Sequence, residues 1–228
     1  MPSLPDLSEY SDVLPQGTID AWPAVAAVLP DGSALMGGTG LAVWLRHRRS
    51  ADLDIFTPER FDTASVLSAL SAAGDFVHVE SSARTIRGTF NSVNVDIVAE
   101  DSAHRLGPPL IVGGLNVASL QDIAAGKLKA LADRKQLRDY VDAMFIETQG
   151  GISLEQGIML YFRRYGLDLH PAEVNGYLQH LLDFRHLEDD PAITAAFGDG
   201  IRDRVEQHFR SRQPEVIAAF HQHLTGSD

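Results

Sequence analysis

The sequence predicts an α+β chain, a mixed α/β half followed by a helical half, and three observations carry that prediction. Apolar runs with β-type alternation occur at residues 76–80, 85–90 and 93–98, and none follows residue 120. Beyond that point apolar residues recur at helical spacing. A break at Gln149-Gly150-Gly151 separates the halves, so the expected domains are 1–148, an α/β core with an N-terminal arm, and 149–228, a helical domain.

Residues 1 to about 18 read as a loop or docked arm. A helix is expected over 18–29, with Thr18 as N-cap and Pro30-Asp31-Gly32 as its end. Residues 33–36 form a short buried strand that runs into Gly37-Gly38, and a helix over 39–48 follows directly. The glycines thus sit at a strand-to-helix junction. Glycine there admits a phosphate to the backbone, and the unpaired N–H groups of a helix start favour an anion. The spacing is neither a Walker A loop nor G-x-G-x-x-G, and a tight turn is the plain structural reading of such a pair. After a strand carrying Asp52 and Asp54, an amphipathic helix over 62–73 places Val66, Leu67 and Leu70 inward and ends at Gly74. Asn91-Ser92 joins the strands 85–90 and 93–98 as a hairpin. Residues 110–117 are a further apolar stretch, broken by Gly113-Gly114. Ser119-Leu120-Gln121-Asp122 opens a helix in the manner of a capping box. Helix continues over 133–147, directly or after a break. If unbroken, Lys127, Leu131, Arg134 and Arg138 share a face too basic to be core, which needs either the protein's own carboxylates or phosphates. Helices are expected at 153–165, from 171 to 180 and beyond, and at 200–224 with an interruption at Pro214. Residues 225–228 are expected to fray.

Composition narrows the function. With 228 residues the chain can bury one sizeable core or one domain and an appendage. There is no cysteine, which removes disulfides, thiolate nucleophiles and sulfur-bound zinc. Net charge is −12, which excludes a protein that coats nucleic acid indiscriminately, though basic residues cluster at 46–49 and 127–138. The Arg46-to-Arg49 run suits a solvated helix C-terminus. No apolar run reaches the roughly 18 residues of a membrane helix, and the acidic, proline-bearing opening is unlike a signal peptide, so a cytoplasmic location is expected. The nine histidines, His221-x-His223 included, form no metal-binding pattern.

The chemistry centres on residues 36–56. Asp52 and Asp54 lie two apart in a strand and project from one face, while Leu53 and Ile55 face the core. Two like charges side by side are unfavourable unless a cation joins them. Asp-x-Asp beside a turn is structural more often than not when it stands alone. Here Asp96, on the outward face of the 93–98 strand, supplies a third carboxylate. Carboxylates that hold Mg2+ beside a glycine turn that holds a triphosphate suit nucleotidyl transfer, with a downstream lysine or arginine as the expected phosphate contact.

These residues also resemble a known family. Gly37-Gly38-Thr39, Arg48, Ser50 and Asp52-x-Asp54 resemble the first motif of the AbiEii-type nucleotidyltransferase toxins, within the DNA polymerase β-like superfamily. Lys127-Leu128-Lys129-Ala130-Leu131-x-x-Arg134-x-x-x-Arg138-Asp139-x-x-Asp142 resembles that family's helical K-L-x-A-L-x-x-R-x-x-x-R-D-x-x-D segment. The resemblance implies a mixed-sheet polymerase β-like core and a C-terminal helical region. It implies Mg2+ on Asp52 and Asp54, with Asp96 as the superfamily's third carboxylate. Gly37, Gly38, Thr39, Arg48 and Ser50 would line the phosphate pocket, Lys127 and Arg134 would contact the nucleotide, and Asp142 or its neighbour Asp139 would complete the site. Arg134 and Arg138 have an equal alternative, ion pairs with Asp139 or Asp142. It further implies a toxin with a cognate antitoxin that transfers a nucleotide from an NTP to RNA, tRNA above all. A protein or a small molecule such as an aminoglycoside is the alternative acceptor, and a catalytically silent nucleotide-binding module is the reading of a different class.

Overall fold

The computed structural model describes residues 6–100, 103–168 and 170–225, without the side chains of 171 and 221–225. The first residues of the expected arm, the His221 and His223 side chains and residues 226–228 lie outside it. The chain divides into two compact units, 1–123 and 124–228. This division falls upstream of the expected 148/149, within a helix.

The first unit is built on one mixed sheet of strands β1 (Ala34–Leu35), β2 (Leu53–Thr57), β3 (Phe76–Ser82), β4 (Thr85–Phe90), β5 (Val93–Ala99), β6 (Leu110–Val112) and β7 (Leu115–Val117). Their order is β3-β4-β5-β2-β1-β7-β6. β2 runs parallel to β5 and β1 parallel to β7, and the other pairs are antiparallel. Two-residue turns close two hairpins. Asn91 and Ser92 both take positive φ, 48° and 68°, as do Gly113 and Gly114, at 51° and 80°. Such turns match the right-handed twist of the strands they join. Alternation holds where it was expected: Leu53, Ile55, Val95 and Ile97 are fully buried, and Asp54 and Asp96 lie on the other face.

Three helices complete this core: α1 (Gln16–Ala26), α2 (Gly37–Leu45) and α3 (Thr63–Ala73). Trp22 of α1 is fully buried, and its indole N–H donates to the Val112 carbonyl at 3.1 Å. Thr18 does not cap α1. It lies inside the helix, and its hydroxyl donates to the Ala51 carbonyl at 2.9 Å. In α3, Asp62 is the cap, accepting from the Ala64 amide, and Val66 and Leu70 are buried, with Leu67 only partly so.

The helical unit comprises the greater part of α4 (Leu120–Asp133), with α5 (Leu137–Thr148), α6 (Leu154–Arg164), α7 (Pro171–Leu181), α8 (Pro191–Phe197) and α9 (Ile201–Thr225). α4 and α5 are not one helix. Residues 135–137 pair instead with Glu188, whose N–H donates to Lys135 O at 2.8 Å and whose carbonyl accepts from Leu137 N at 2.9 Å. This short bridge draws the chain out of helix and breaks the expected basic face after residue 133. α9 continues through Pro214 where an interruption was expected. The proline removes one intrahelical bond, but Val205 and Phe209 before it and Val216 and Phe220 after it are all buried in one core. Tyr140 sits at the centre of that core, its ring 5.3 Å from Phe184 and 5.2 Å from Phe209, its hydroxyl donating to the Leu181 carbonyl at 2.9 Å. No helix among the described residues is long and apolar enough to cross a membrane.

Candidate nucleotide and metal site

The glycine pair lies at the junction between β1 and α2, where the strand-to-helix reading put it. Gly37 has φ +62°, a conformation that L-residues seldom adopt. A Cβ on Gly37 would lie 1.9 Å from Asp54 Oδ2. A Cβ on Gly38 would lie 2.6 Å from Arg48 Nη2 and 2.9 Å from Ser50 Oγ. Both glycines therefore let side chains press against the first turn of α2. Thr39, fully buried, donates from Oγ1 to the Asp52 carbonyl at 2.5 Å and lies 3.0 Å from Ser50 Oγ. Met36 N donates to the Asp54 carbonyl at 2.8 Å. The first turn of α2 thus carries Arg48, Ser50 and Asp54 on its glycines.

The chain returns to that turn because α2 stops early. Arg46, expected inside a longer helix, takes a left-handed conformation with φ 50° and ends α2 after Leu45. Its guanidinium is spent on the N-terminal segment: 2.7 Å to Asp12, 2.7 Å to the Glu9 carbonyl and 4.9 Å over the Tyr10 ring. Arg46 is thus the exposed C-cap of α2, with its guanidinium tied to the N-terminal segment. Ser50 N donates to Val13 O at 3.0 Å and fixes the return.

The three carboxylates arise from the parallel pairing of β2 and β5, which sets Asp54 directly beside Asp96. Asp52 stands just before β2, and its Oδ1 accepts from the Asn94 amide at 2.9 Å. Asp96 turns toward β4, its Oδ2 3.3 Å from Arg87 Nε, and Arg87 Nη1 lies 3.2 Å from Glu80 Oε2. Burial pushes the Asp96 carboxyl above its ordinary range; Arg87 opposes that push and the Asp52 charge adds to it. Among the described residues no group of three His, Asp or Glu side chains is gathered closely enough to hold a metal. The parallel register sets Asp54 and Asp96 side by side, while Asn94 engages Asp52 and Arg87 engages Asp96. Asn94 was legible as an outward residue of its strand, but Arg87 and Glu80 were not singled out. The alternation of Ile86 and Gly88 about Arg87 was the available signal.

In the helical unit the motif residues form a buried ion network. Lys127 Nζ lies 2.9 Å from Asp139 Oδ1 and 2.7 Å from Asp142 Oδ2, and neither carboxylate is exposed. Arg134 Nε reaches Asp139 Oδ2 at 2.9 Å. Burial would raise the Asp139 carboxyl, but the charges of Lys127 and Arg134 more than offset it and hold the pKa below the usual value. Of the two readings left open for the arginines, Arg134 adopts the ion pair, while Arg138 donates to the Gln136 side chain at 3.0 Å. Asp139 and Asp142 are both engaged by Lys127, not one in place of the other.

Comparisons with known proteins follow this geometry. No curated protein matches the chain. The crystal structure of JHP933 from Helicobacter pylori aligns with a TM-score of 0.46 at 17% identity, covering 91% of this chain and 99% of that one. The structure of a putative nucleotidyltransferase from H. pylori aligns with a TM-score of 0.45, also at 17% identity, covering 84% and 94% respectively. A family model described as nucleotidyl transferase AbiEii toxin, type IV TA system, matches residues 24–225. With both motifs inside that span, the chain belongs to the AbiEii nucleotidyl transferase toxin family of type IV toxin–antitoxin systems.

Proposed function

We propose that this chain transfers a nucleotidyl group from an NTP to an RNA acceptor, tRNA in the first instance, in a Mg2+-dependent reaction. The observation that carries the reading is the glycine pair packed against Asp54 and Arg48, with Asp96 beside Asp54 on the same sheet face. The donors fit the metal: Asp52, Asp54 and Asp96 offer only hard carboxylate oxygens, the set Mg2+ takes. Bound there, Mg2+ would neutralise the triphosphate charge and favour the attacking hydroxylate. The chain's own residues do the rest. The N–H groups at the start of α2 donate to a phosphate, and the missing Cβ atoms of Gly37 and Gly38 let Asp54, Arg48 and Ser50 pack beside that turn. Arg48 and Ser50 donate to phosphate oxygens, one carboxylate accepts the proton of the attacking hydroxyl, and pyrophosphate leaves as the acceptor oxygen bonds to the α-phosphorus. Through the second motif we assign Lys127 to nucleotide contact, held by Asp139 and Asp142. The same reading makes the protein a cytoplasmic toxin restrained by a cognate antitoxin.

Incubation with labelled NTPs, Mg2+ and total tRNA tests this directly. Label should enter RNA with the wild-type protein and vanish with Asp54→Asn. Label on protein or on an aminoglycoside would move the acceptor to those classes. Nucleotide binding without transfer to any acceptor would favour the silent module and defeat the proposal.

A further inference from the structure

On the open face of the sheet, four strands bring one residue each into a lateral row: Asp54 on β2, Asp96 on β5, Arg87 on β4 and Glu80 on β3. Three of these are acids, and Arg87 is the one base among them. Its guanidinium is divided between two carboxylates on opposite sides, Nε toward Asp96 and Nη1 toward Glu80, at 3.3 and 3.2 Å. The placement of Glu80 depends on a bulge. β3 pairs with β4 as Phe76 with Phe90, Val77 with Thr89 and His78 with Gly88. Unbroken, that register would set Val79 against Arg87. The irregularity between His78 and Glu80 inserts one residue and sets Glu80 there instead. Val79 is left 72% exposed, an unfavourable site for a valine. The backbone thus deviates from regular pairing to give Arg87 a second acid.

We propose that Arg87 is a positioning residue that holds the place of a cation at Asp96, and that Glu80 receives Arg87 when a divalent metal takes Asp96. This rests on the metal-dependent reading above. With the site empty, Arg87 neutralises the carboxylate beside Asp54 and limits the repulsion within the row. A metal ion arriving there competes with the guanidinium, and Glu80 lowers the cost of displacing it, since Arg87 keeps one carboxylate partner throughout. Arg87 and Glu80 therefore set how tightly the carboxylates bind metal before any nucleotide is present.

Titration of the full chain with MnCl2, with free Mn2+ read by electron paramagnetic resonance, tests the inference without turnover. Arg87→Gln should tighten Mn2+ binding by about three- to fivefold, the range a half-exposed ion pair carries. Arg87→Lys, which keeps the charge, should restore affinity toward wild type. Glu80→Gln should weaken binding, because Arg87 then has only Asp96. All three side chains are at least two-fifths exposed, at 51%, 61% and 40% for Arg87, Glu80 and Asp96, so the variants should fold. A merely structural Arg87 would lose Mn2+ affinity, or leave it unchanged, on conversion to Gln, and either result overturns the inference alone. A folded wild-type protein that binds no Mn2+ overturns the metal-dependent reading and this inference together.

Discussion

Replacing Lys127 with methionine tests the structural role of the motif lysine. Its side chain is 7% exposed, and its ammonium lies within 3 Å of two carboxylates whose side chains have no exposure at all. Methionine fills nearly the same volume but leaves both charges in the interior, with Arg134 directed to Asp139. Breaking a buried pair by removing one partner costs about 3–5 kcal/mol, mostly the desolvation of the charge left behind. With a urea slope of roughly 1–3 kcal/mol per molar, the midpoint should fall by about 1–5 M. Both tryptophans, Trp22 and Trp44, belong to the first unit, so far-UV ellipticity is the suitable signal for the helical one. The double variant Lys127→Met/Asp142→Asn removes one of the stranded charges and should recover more than about 1 kcal/mol, a coupling expected only of groups in contact. A loss below about 1 kcal/mol for Lys127→Met, or no recovery in the double variant, would refute the claim that this network holds the helical unit together.

Two further perturbations probe other parts of the chain. Gly37→Ala should abolish nucleotidyl transfer, since its Cβ would overlap the Asp54 carboxylate, and should also cost about 1–2 kcal/mol from the left-handed backbone. Gly38→Ala has no such backbone strain and should lower transfer by displacing Arg48 and Ser50 while leaving the urea midpoint nearly unchanged; equal midpoint shifts in the two variants would contradict this. Acid titration addresses Glu147, whose pKa burial would raise but which hydrogen bonds from His208, the Leu154 amide and Arg212 lower from 4.5 to about 2. A depressed folded-state pKa contributes stability that is fully present above the unfolded value near 4.5 and is lost as pH falls toward 2. Allowing for partial solvent screening the loss should be roughly 2 kcal/mol, and Glu147→Gln should flatten that limb of a stability-versus-pH curve measured by urea unfolding.

The parts of the fold that were legible from sequence are those where one local rule decides. Period-two alternation set Leu53, Ile55, Val95 and Ile97 inward, so Asp54 and Asp96 had to face outward, and the parallel register placed them side by side. Gly37 and Gly38 fitted a tight turn or a close approach alike, and the structure holds both, a positive φ at Gly37 and side chains against each glycine. What sequence did not reveal depends on contacts made far along the chain. The helix 39–48 was overextended because nothing local announces that Arg46 will leave helical geometry to meet Asp12 and Tyr10. The break between α4 and α5 is imposed by Glu188, some fifty residues downstream. Pro214 was expected to interrupt a helix, but packing on both sides outweighed the lost hydrogen bond.

The second motif shows a different limit. Asp139 and Asp142 are three apart on α5 and share a face, so a single cation from α4 can meet both. Lys127 is that cation, and Leu128, Leu131 and Leu137 beside these charges are buried in the same core. The spacing that identifies the motif is therefore also the spacing that closes an ion network and packs the unit. A lysine in that frame is consistent with nucleotide contact and with structure at once, and its loss would abolish activity under either role. The first motif carries no such ambiguity. Gly38 takes an ordinary φ, and the groups its Cβ would displace are Arg48 and Ser50. The functional case consequently rests more firmly on the glycine junction and its carboxylates than on the lysine helix, even though the helix supplies the longer sequence match.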